Sequence, residues 1–529
     1  MTTTAQESQE QREPQHVPSA HTSTNTGNTQ FQQSETQERP AALPPGPRPL
    51  PLIGNLLSLR LDPLGFLQEL QRTYGDMATI YLARTPIVIL FRPEYVRYVL
   101  VENPRNFTNR EFAGMGGSAL DEGLLTIDGE KHRQQRRAVQ PAFHKKRVES
   151  YASMMTQYTG ELLQTWHAGD TVDVSKAMQE LTLRVVGKCL FNIDLNTQLQ
   201  EIGSAFNEML GSQVGILEAL LNMQVDNPIT SYGRRMSAIR KLDMLINTLI
   251  AQRRADPGDK GDVLSMLLAA PEGETPDMVL NDKQVHDHIM TFIAAGHETT
   301  ANALTWTFYL LAAHPSVREK LLDELRSVLG NRPPTLEDMS KLTYTDWVLN
   351  ESMRLYPPAW LQGRHAVEAF DLGDHRLPAD TLIMLSQWVM HRLPDVWGDP
   401  ETFRPERWDP ANEQKVPSGA YFPFGMGPRI CIGMPFAQLE AKLILTTIMQ
   451  HYSPRTLKGY EPGVNPLITL RPKNPLKMVL IPTPTNASDT SANNAWQQTM
   501  RTPYDSQNGS SERQGCLGAL MNLLNVVRL

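Results

Sequence analysis

The chain has 529 residues, 40% hydrophobic and 20% charged, with a formal net charge of −7. That balance allows a sizeable buried core and lacks the basic excess that nucleic-acid binding requires, so no nucleic-acid partner is expected. Cys189, Cys431 and Cys516 lie too far apart for a disulfide framework or a CxxC zinc site, which fits a reducing compartment.

The N-terminal "MTTTAQESQEQREPQ" has neither the basic nor the apolar part of a secretory signal. No run of about 18 apolar residues offers a membrane span, so a cytoplasmic protein without a transmembrane anchor is expected. Residues 1–40 are rich in Gln, Ser, Thr, Glu and Asn and too poor in large apolar residues to offset their ordering entropy; a disordered extension is predicted. "LPPGPRPLPLIGN" then leads stiffly into a folded body spanning 41–484. "MATIYLARTPIVILF" predicts a hairpin around Ala83–Arg84–Thr85. "KHRQQRRAVQPAFHKKR", residues 131–147, holds seven Lys/Arg and no acid, and reads either as a solvated helix face or as a docking patch.

"VHDHIMTFIAAGHETTANALTWTFYLLAAHP" predicts a long helix, with Val285, Ile289, Phe292, Ile293, Gly296, Thr300, Ala303 and Leu304 on one stripe. "WVLNESMRLYPP" is a helix stopped by Pro357 and Pro358, and "MPFAQLEAKLILTTIMQHY" another with Pro435 in its first turn. The pattern is mainly α with small β-sheets, an α+β class. Residues 485–529 form a second polar tail, whose end "CLGALMNLLNVVRL" is either a frayed terminus or an amphipathic contact segment.

The chemistry concentrates at "FPFGMGPRICIG". A helix starting just after Cys431 turns its positive dipole end toward the sulfur, and Arg429 adds a cation two residues away. Both favour the thiolate, the nucleophilic and metal-ligating form. Gly425, Gly427 and Gly433 permit a tight backbone that approaches a flat group closely. A lone thiolate of this kind suits two roles, a catalytic nucleophile or the protein ligand of haem iron. In "AGHETT", Ala295–Thr300, an interior glycine costs a helix about 1 kcal/mol relative to alanine. Threonine hydroxyls also bond back to the preceding turn. The run reads either as a groove for a ligand or as a close helix crossing. His297 carries no assigned role, and His286 and His288 lie on different helix faces, a poor metal pair. Glu351 and Arg354 stand one turn apart, followed by "LYPP" and later by "FRPERW".

Phe424-x-x-Gly427-x-Arg429-x-Cys431-x-Gly433 resembles the haem-ligand loop of the cytochrome P-450 superfamily at every fixed position, and the resemblance covers roughly 41–484. It implies the cytochrome P-450 fold, a single large haem-enclosing domain, with Cys431 as iron ligand and Phe424 in the cofactor-binding loop. It implies Glu298 and Thr299 as the acid–alcohol pair of a soluble bacterial-type haem-thiolate monooxygenase. Glu351, Arg354 and Arg407 match the structural network bracing the loop, with Trp408 where Phe is commoner. His132, Arg136, Arg364 and Arg429 match the partners of the propionates. Substrate-lining positions are Phe107 to Leu124, Phe292, Ala295, Ala359, Leu361 and Ile468, mostly apolar and suited to a lipophilic fatty acid or terpenoid.

The implied cofactor is heme b with O2 as co-substrate. Electrons come ultimately from NAD(P)H through a separate acidic ferredoxin or flavodoxin with its reductase, and a monomer is expected. The alternatives are a peroxide-using or isomerising relative, which tends to lose the acid–alcohol pair, and a non-catalytic haem-binding sensor.

Overall fold

The computed structural model describes residues 42–109, 122–193, 199–211, 226–227, 229–269, 280–412 and 415–484. The chain divides into Met1–Pro40 and Ala41–Leu529, and every described residue belongs to the second unit. Both polar tails, and most of the predicted substrate-lining stretch between Phe107 and Leu124, lie outside the described residues.

The elements that position the site are, in chain order, strands β1 Met77–Leu82, β2 Thr85–Leu90 and β3 Phe107–Thr108, then helices α1 Gly129–Val139, α2 Lys145–Ser150 and α3 Val174–Phe191. Next come α4 Ser231–Ala255, α5 Asp282–Ala313, α6 Thr343–Leu355, strands β4 Gln362–Ala366 and β5 Leu382–Leu385, helix α7 Met434–His451, and strands β6 Val464–Pro466 and β7 Leu470–Pro472. The predicted hairpin is present as β1 and β2, antiparallel with Ile80 opposite Ile87. Ala83 takes a positive φ of 52° in its turn, a conformation that costs a non-glycine residue some strain.

A five-stranded sheet runs in the order β1-β2-β5-β4-β3. β2 pairs parallel to β5 with Val88 opposite Ile383, and β4 lies antiparallel on the far side with Arg364 opposite Ile383. The sheet has its own apolar core, including Ile80, Val88, Leu90, Phe107 and Ile383. The larger core gathers on the helices, with α3, α5 and α7 contributing Val185, Val186, Ile289, Leu304, Leu443 and Ile444.

Helix α5 differs from the single-stripe expectation. It is buried on nearly all sides from Val285 to Phe308 because neighbours cover every face, and buried threonines such as Thr291, Thr305 and Thr307 bond back to the preceding turn. Asn281 opens it with a capping box completed by Gln284. No helix among the described residues is long and apolar enough to cross a membrane.

Candidate active site around Cys431

The loop before α7 is shaped by its own backbone. Cys431 N donates to Phe424 O at 2.9 Å, and Gly425 N donates to Phe422 O at 3.0 Å. Gly427 has φ of 67°, and a Cβ there would sit 1.8 Å from Leu100 O, so only glycine lets the loop seat against that neighbour. The Gly433 and Met434 amides at the start of α7 point hydrogen bonds at the Cys431 sulfur. Burial pushes the thiol above its ordinary value, while those amides and the Arg136 guanidinium pull it down. The cation acting on the sulfur is therefore Arg136, not Arg429 as sequence proximity suggests. Arg429 turns away to donate to Asp128 and to the Ile127 carbonyl.

Cys431 presents accessible surface even though protein surrounds and desolvates its thiol. Both hold for a group that lines an enclosed space. Helix α5 supplies the opposite indication. Ala295 is exposed and Gly296 and Thr299 half-buried, in the middle of a helix otherwise buried on both sides of them. Gly296 also serves a close crossing, because a Cβ there would meet Val186 Cγ2 of α3 at 3.1 Å. The close crossing in "AGHETT" therefore falls at Gly296, while Ala295 and Thr299 keep surface open.

Thr299 Oγ1 donates to Ala295 O at 2.7 Å, and the helix continues unbroken. Glu298 does not contact that hydroxyl. Its Oε1 accepts from Arg471 Nε at 2.6 Å and from the Thr469 hydroxyl, while Oε2 is buried without a partner among the described residues. The predicted acid and alcohol are sequence neighbours bonded to different groups. His297 is buried with Nδ1 2.7 Å from Ile293 O. Among the described residues no cluster of three or more His, Cys, Asp and Glu side chains is placed to hold a metal ion.

Glu351, Arg354 and Arg407 are brought together. Arg354 forks onto Glu351 with Nε–Oε2 at 2.9 Å and Nη2–Oε1 at 2.8 Å, both side chains fully buried, and Arg407 Nε reaches Oε1 at 2.8 Å. A path runs from this network to the cysteine loop. Arg354 Nη1 donates to His391 O at 2.9 Å, and His391 Nε2 accepts from Phe422 N at 3.1 Å. Burial, with Arg354 and Arg392 alongside, pushes the His391 ring down to about 3, which keeps Nε2 free to accept.

His132, Arg136, Arg364 and Arg429 converge on one region. His132 is buried and pushed down to about 3, by burial first and then by Arg429 and Arg136, so it is neutral. Arg364 is pushed down to about 10 by burial and then by Arg429, with Asp128 opposing. Arg136 has no carboxylate partner among the described residues. Arg429 is bonded to the one carboxylate nearby, Asp128, whose field Arg364 also feels, while the acidic group facing Arg136 is the Cys431 thiol, so positive charge is in excess in partly desolvated surroundings. A cofactor with two carboxylates beside a thiolate-bound metal satisfies that excess, so the residues present fit haem.

The substrate-lining candidates divide. Ala295 is exposed, Ile468 is 43% exposed at the turn between β6 and β7, and Ala359 and Leu361 are half-buried. Phe292 is instead consumed by packing, edge-on to Phe143 at 5.3 Å and stacked on His288 at 5.8 Å. Phe107 likewise belongs to the sheet core, 5.0 Å from Phe370. Sequence reasoning missed Asp128, His391, Thr469 and Arg471; each acts across a long sequence separation and carries no local motif.

A family model described as "Cytochrome P450" matches residues 44–480. Cyclooctatin synthase of Streptomyces melanosporofaciens is 36% identical over 443 residues, which cover 82% of this chain and 94% of that protein. Cyclooctat-9-en-7-ol 5-monooxygenase of the same organism is 35% identical over 439 residues, covering 82% and 94%. Pentalenene oxygenase of Streptomyces avermitilis is 31% identical over 410 residues, covering 77% and 90%. Among solved structures, retinoic acid-bound cyanobacterial CYP120A1 superposes with a TM-score of 0.74 at 26% identity, covering 84% of this chain and 99% of that one.

Proposed function

This chain belongs to the cytochrome P450 family, the haem-thiolate monooxygenases, and we propose that it oxygenates a lipophilic terpenoid within a domain spanning 41–484. The observation that carries the reading is the opening at Ala295, Gly296 and Thr299 in an otherwise buried helix, with an accessible Cys431 in a glycine-cradled loop. The relatives' names, cyclooctat-9-en-7-ol monooxygenase and pentalenene oxygenase, support a terpenoid over a fatty acid.

Cys431 would hold the iron, and Arg136, Arg364 and Arg429 would bind the propionates, with neutral His132 donating a hydrogen bond. Bound there, haem supplies oxygen activation and insertion, assisted by electron donation from the thiolate. The chain's own residues control position and protons. The apolar surface of Ala295, Ala359, Leu361 and Ile468 orients the substrate and excludes water. Thr299 Oγ1 would pass a proton into the pocket, and Glu298 would relay a proton from solvent back to it, taking up one for each it gives. Electrons come from NAD(P)H through a separate reductase and an acidic ferredoxin or flavodoxin. The exposed Lys131, Arg133, Lys145 and Lys146 on α1 and α2 offer such a partner a basic surface. We place this activity in the cytoplasm, carried out by a monomer.

The test is direct. Purified holoprotein is titrated with cyclooctat-9-en-7-ol, pentalenene and a fatty-acid panel for a low-to-high-spin shift, then turned over with a surrogate ferredoxin and reductase. An oxygenated terpenoid product is expected. Turnover of fatty acids alone overturns the substrate class, and spin shifts without product overturn the catalytic reading.

A further inference from the structure

The turn between β6 and β7 is fastened to α5 at several points. Trp306 Nε1 donates to Leu470 O at 3.0 Å, Asn302 Nδ2 to Thr469 Oγ1 at 3.2 Å, and Arg471 Nε to Glu298 Oε1 at 2.6 Å. The Thr469 hydroxyl donates to the same Glu298 oxygen. From the other side Trp360 Nε1 donates to Leu467 O at 2.8 Å. The exposed Ile468 sits at the centre of these anchors, so the residue offered to substrate and the residue holding the acid are chain neighbours.

The grip on Glu298 is incomplete. Among the described residues, Arg471 grips Glu298 through Nε alone, its Nη2 is buried without a partner, and so is Glu298 Oε2. A forked arginine–carboxylate pair makes two parallel hydrogen bonds and is correspondingly harder to open. Buried polar atoms without partners are costly and rare in folded proteins. A carboxylate held by one oxygen, with the other lacking a donor, is poised to exchange partners by side-chain rotation without moving the helix.

We propose that Thr469 and Arg471 are positioning residues for proton supply. Through them, the seating of substrate against Ile468 sets whether the Glu298 carboxylate stays on the turn or swings toward the Thr299 hydroxyl. The inference rests on the proton path through Glu298 and Thr299 given above. In the productive reaction O2, two electrons and two protons yield one water and one oxygen atom inserted into substrate. When proton supply and insertion fall out of step, the same inputs leave as hydrogen peroxide.

The experiment uses holoprotein, a surrogate ferredoxin and reductase, and the panel compound giving the largest spin shift, starting with cyclooctat-9-en-7-ol. Arg471→Gln, Arg471→Lys, Thr469→Val, Glu298→Gln and the Glu298→Gln/Arg471→Gln double variant are compared. The readouts are product and peroxide per NADPH across pH, spin-shift affinity, the C–O stretch of the carbon monoxide complex, and Tm. Arg471→Gln should raise the peroxide share about ten-fold, the change in branching that the loss of one hydrogen bond of about 1.4 kcal/mol produces. It should also move the C–O stretch, flatten the pH dependence of coupling and change spin-shift affinity, because seating that moves Glu298 is itself biased by where Glu298 rests. Arg471→Lys should restore most of the coupling, Thr469→Val should repeat the effect more weakly, and the double variant should match Glu298→Gln alone. Additive losses in the double variant, or normal coupling in both Arg471→Gln and Thr469→Val while Glu298→Gln is uncoupled, overturn the clamp and leave the proton path standing. Normal coupling in Glu298→Gln overturns both. If Arg471→Gln does not fold, Arg471→Lys and Thr469→Val decide the matter.

Discussion

Trp408 donates its indole N–H to Glu351 Oε2 at 2.9 Å, so the residue standing where phenylalanine is commoner in the family is part of the buried ionic network rather than a neutral exchange. The carboxylate is then bonded by Arg354, Arg407, the Arg404 amide and this indole. A phenylalanine would keep a ring against Tyr421 but leave one donor missing. Trp408→Phe should therefore lose about 2 kcal/mol of stability, the range for a hydrogen bond to a charged group. Urea unfolding measures it, and an unchanged midpoint would show that the remaining donors suffice.

Cys431→Ser should abolish the carbon monoxide difference band at about 450 nm, because a neutral hydroxyl does not supply the sulfur donor. Cys189→Ala is the control. Cys189 is buried in the helical core, and burial pushes its thiol up, beyond the reach of ordinary pH. Its variant should keep the band in full.

Thr299→Ala should bind substrate normally and release peroxide in place of product. Among the described residues the hydroxyl donates only to Ala295 O, so its removal leaves no buried donor stranded there and the helix intact. Product formed per NADPH is the measurement. Unchanged coupling would assign Thr299 to helix packing.

Acid should destabilise the fold through histidines that burial keeps neutral. His391 is pushed down to about 3 and His288 to about 4, burial being the main cause in each. Above pH 6.5 neither the folded nor the unfolded chain binds these protons. As pH falls below that value the unfolded chain takes them up and the folded chain does not, so stability drops by about 1.4 kcal/mol per pH unit per histidine. His391→Gln keeps an acceptor for Phe422 N and removes the titration. Its unfolding free energy should fall less steeply between about pH 6.5 and 5 than that of the parent.

Charge reversal at Lys145 and Lys146 should slow first-electron transfer and weaken its dependence on ionic strength, because exposed charges steer partners through a screened field. Both residues are exposed, and Lys145 stands only 3.7 Å from Glu149. Arg147 is left alone because it pairs with Asp259 at 3.7 Å. Stopped-flow reduction at low and high salt decides it; equal rates would return the stretch to a solvated face.

What could be read from the sequence was local. The hairpin, the long helix and the cysteine loop announce themselves within a dozen or so residues, through alternation, apolar content and glycine spacing. What could not be read was set by distant partners. Arg429 lies two residues from Cys431, yet its guanidinium is claimed by Asp128 from 301 positions earlier. Glu298 is adjacent to Thr299, yet its carboxylate is claimed by residues 171 and 173 positions later. Phe292 shares a helical stripe with Gly296, but Phe143 and His288 cover it. Spacing identifies which side chains share a face, and only tertiary packing decides which of them remain open.

The crowding of Arg136 and Arg364 around Arg429 has a bearing on how the polypeptide matures. Like charges held together away from water oppose the folded state until counter-charge arrives, and a dianion that binds the native form alone draws the folding equilibrium toward it by mass action. Haem is in this sense a folding partner as well as a cofactor. A cell making this chain faster than it makes haem will accumulate apoprotein that opens more often and is cleared by proteases, so pigment supply governs how much of the protein survives.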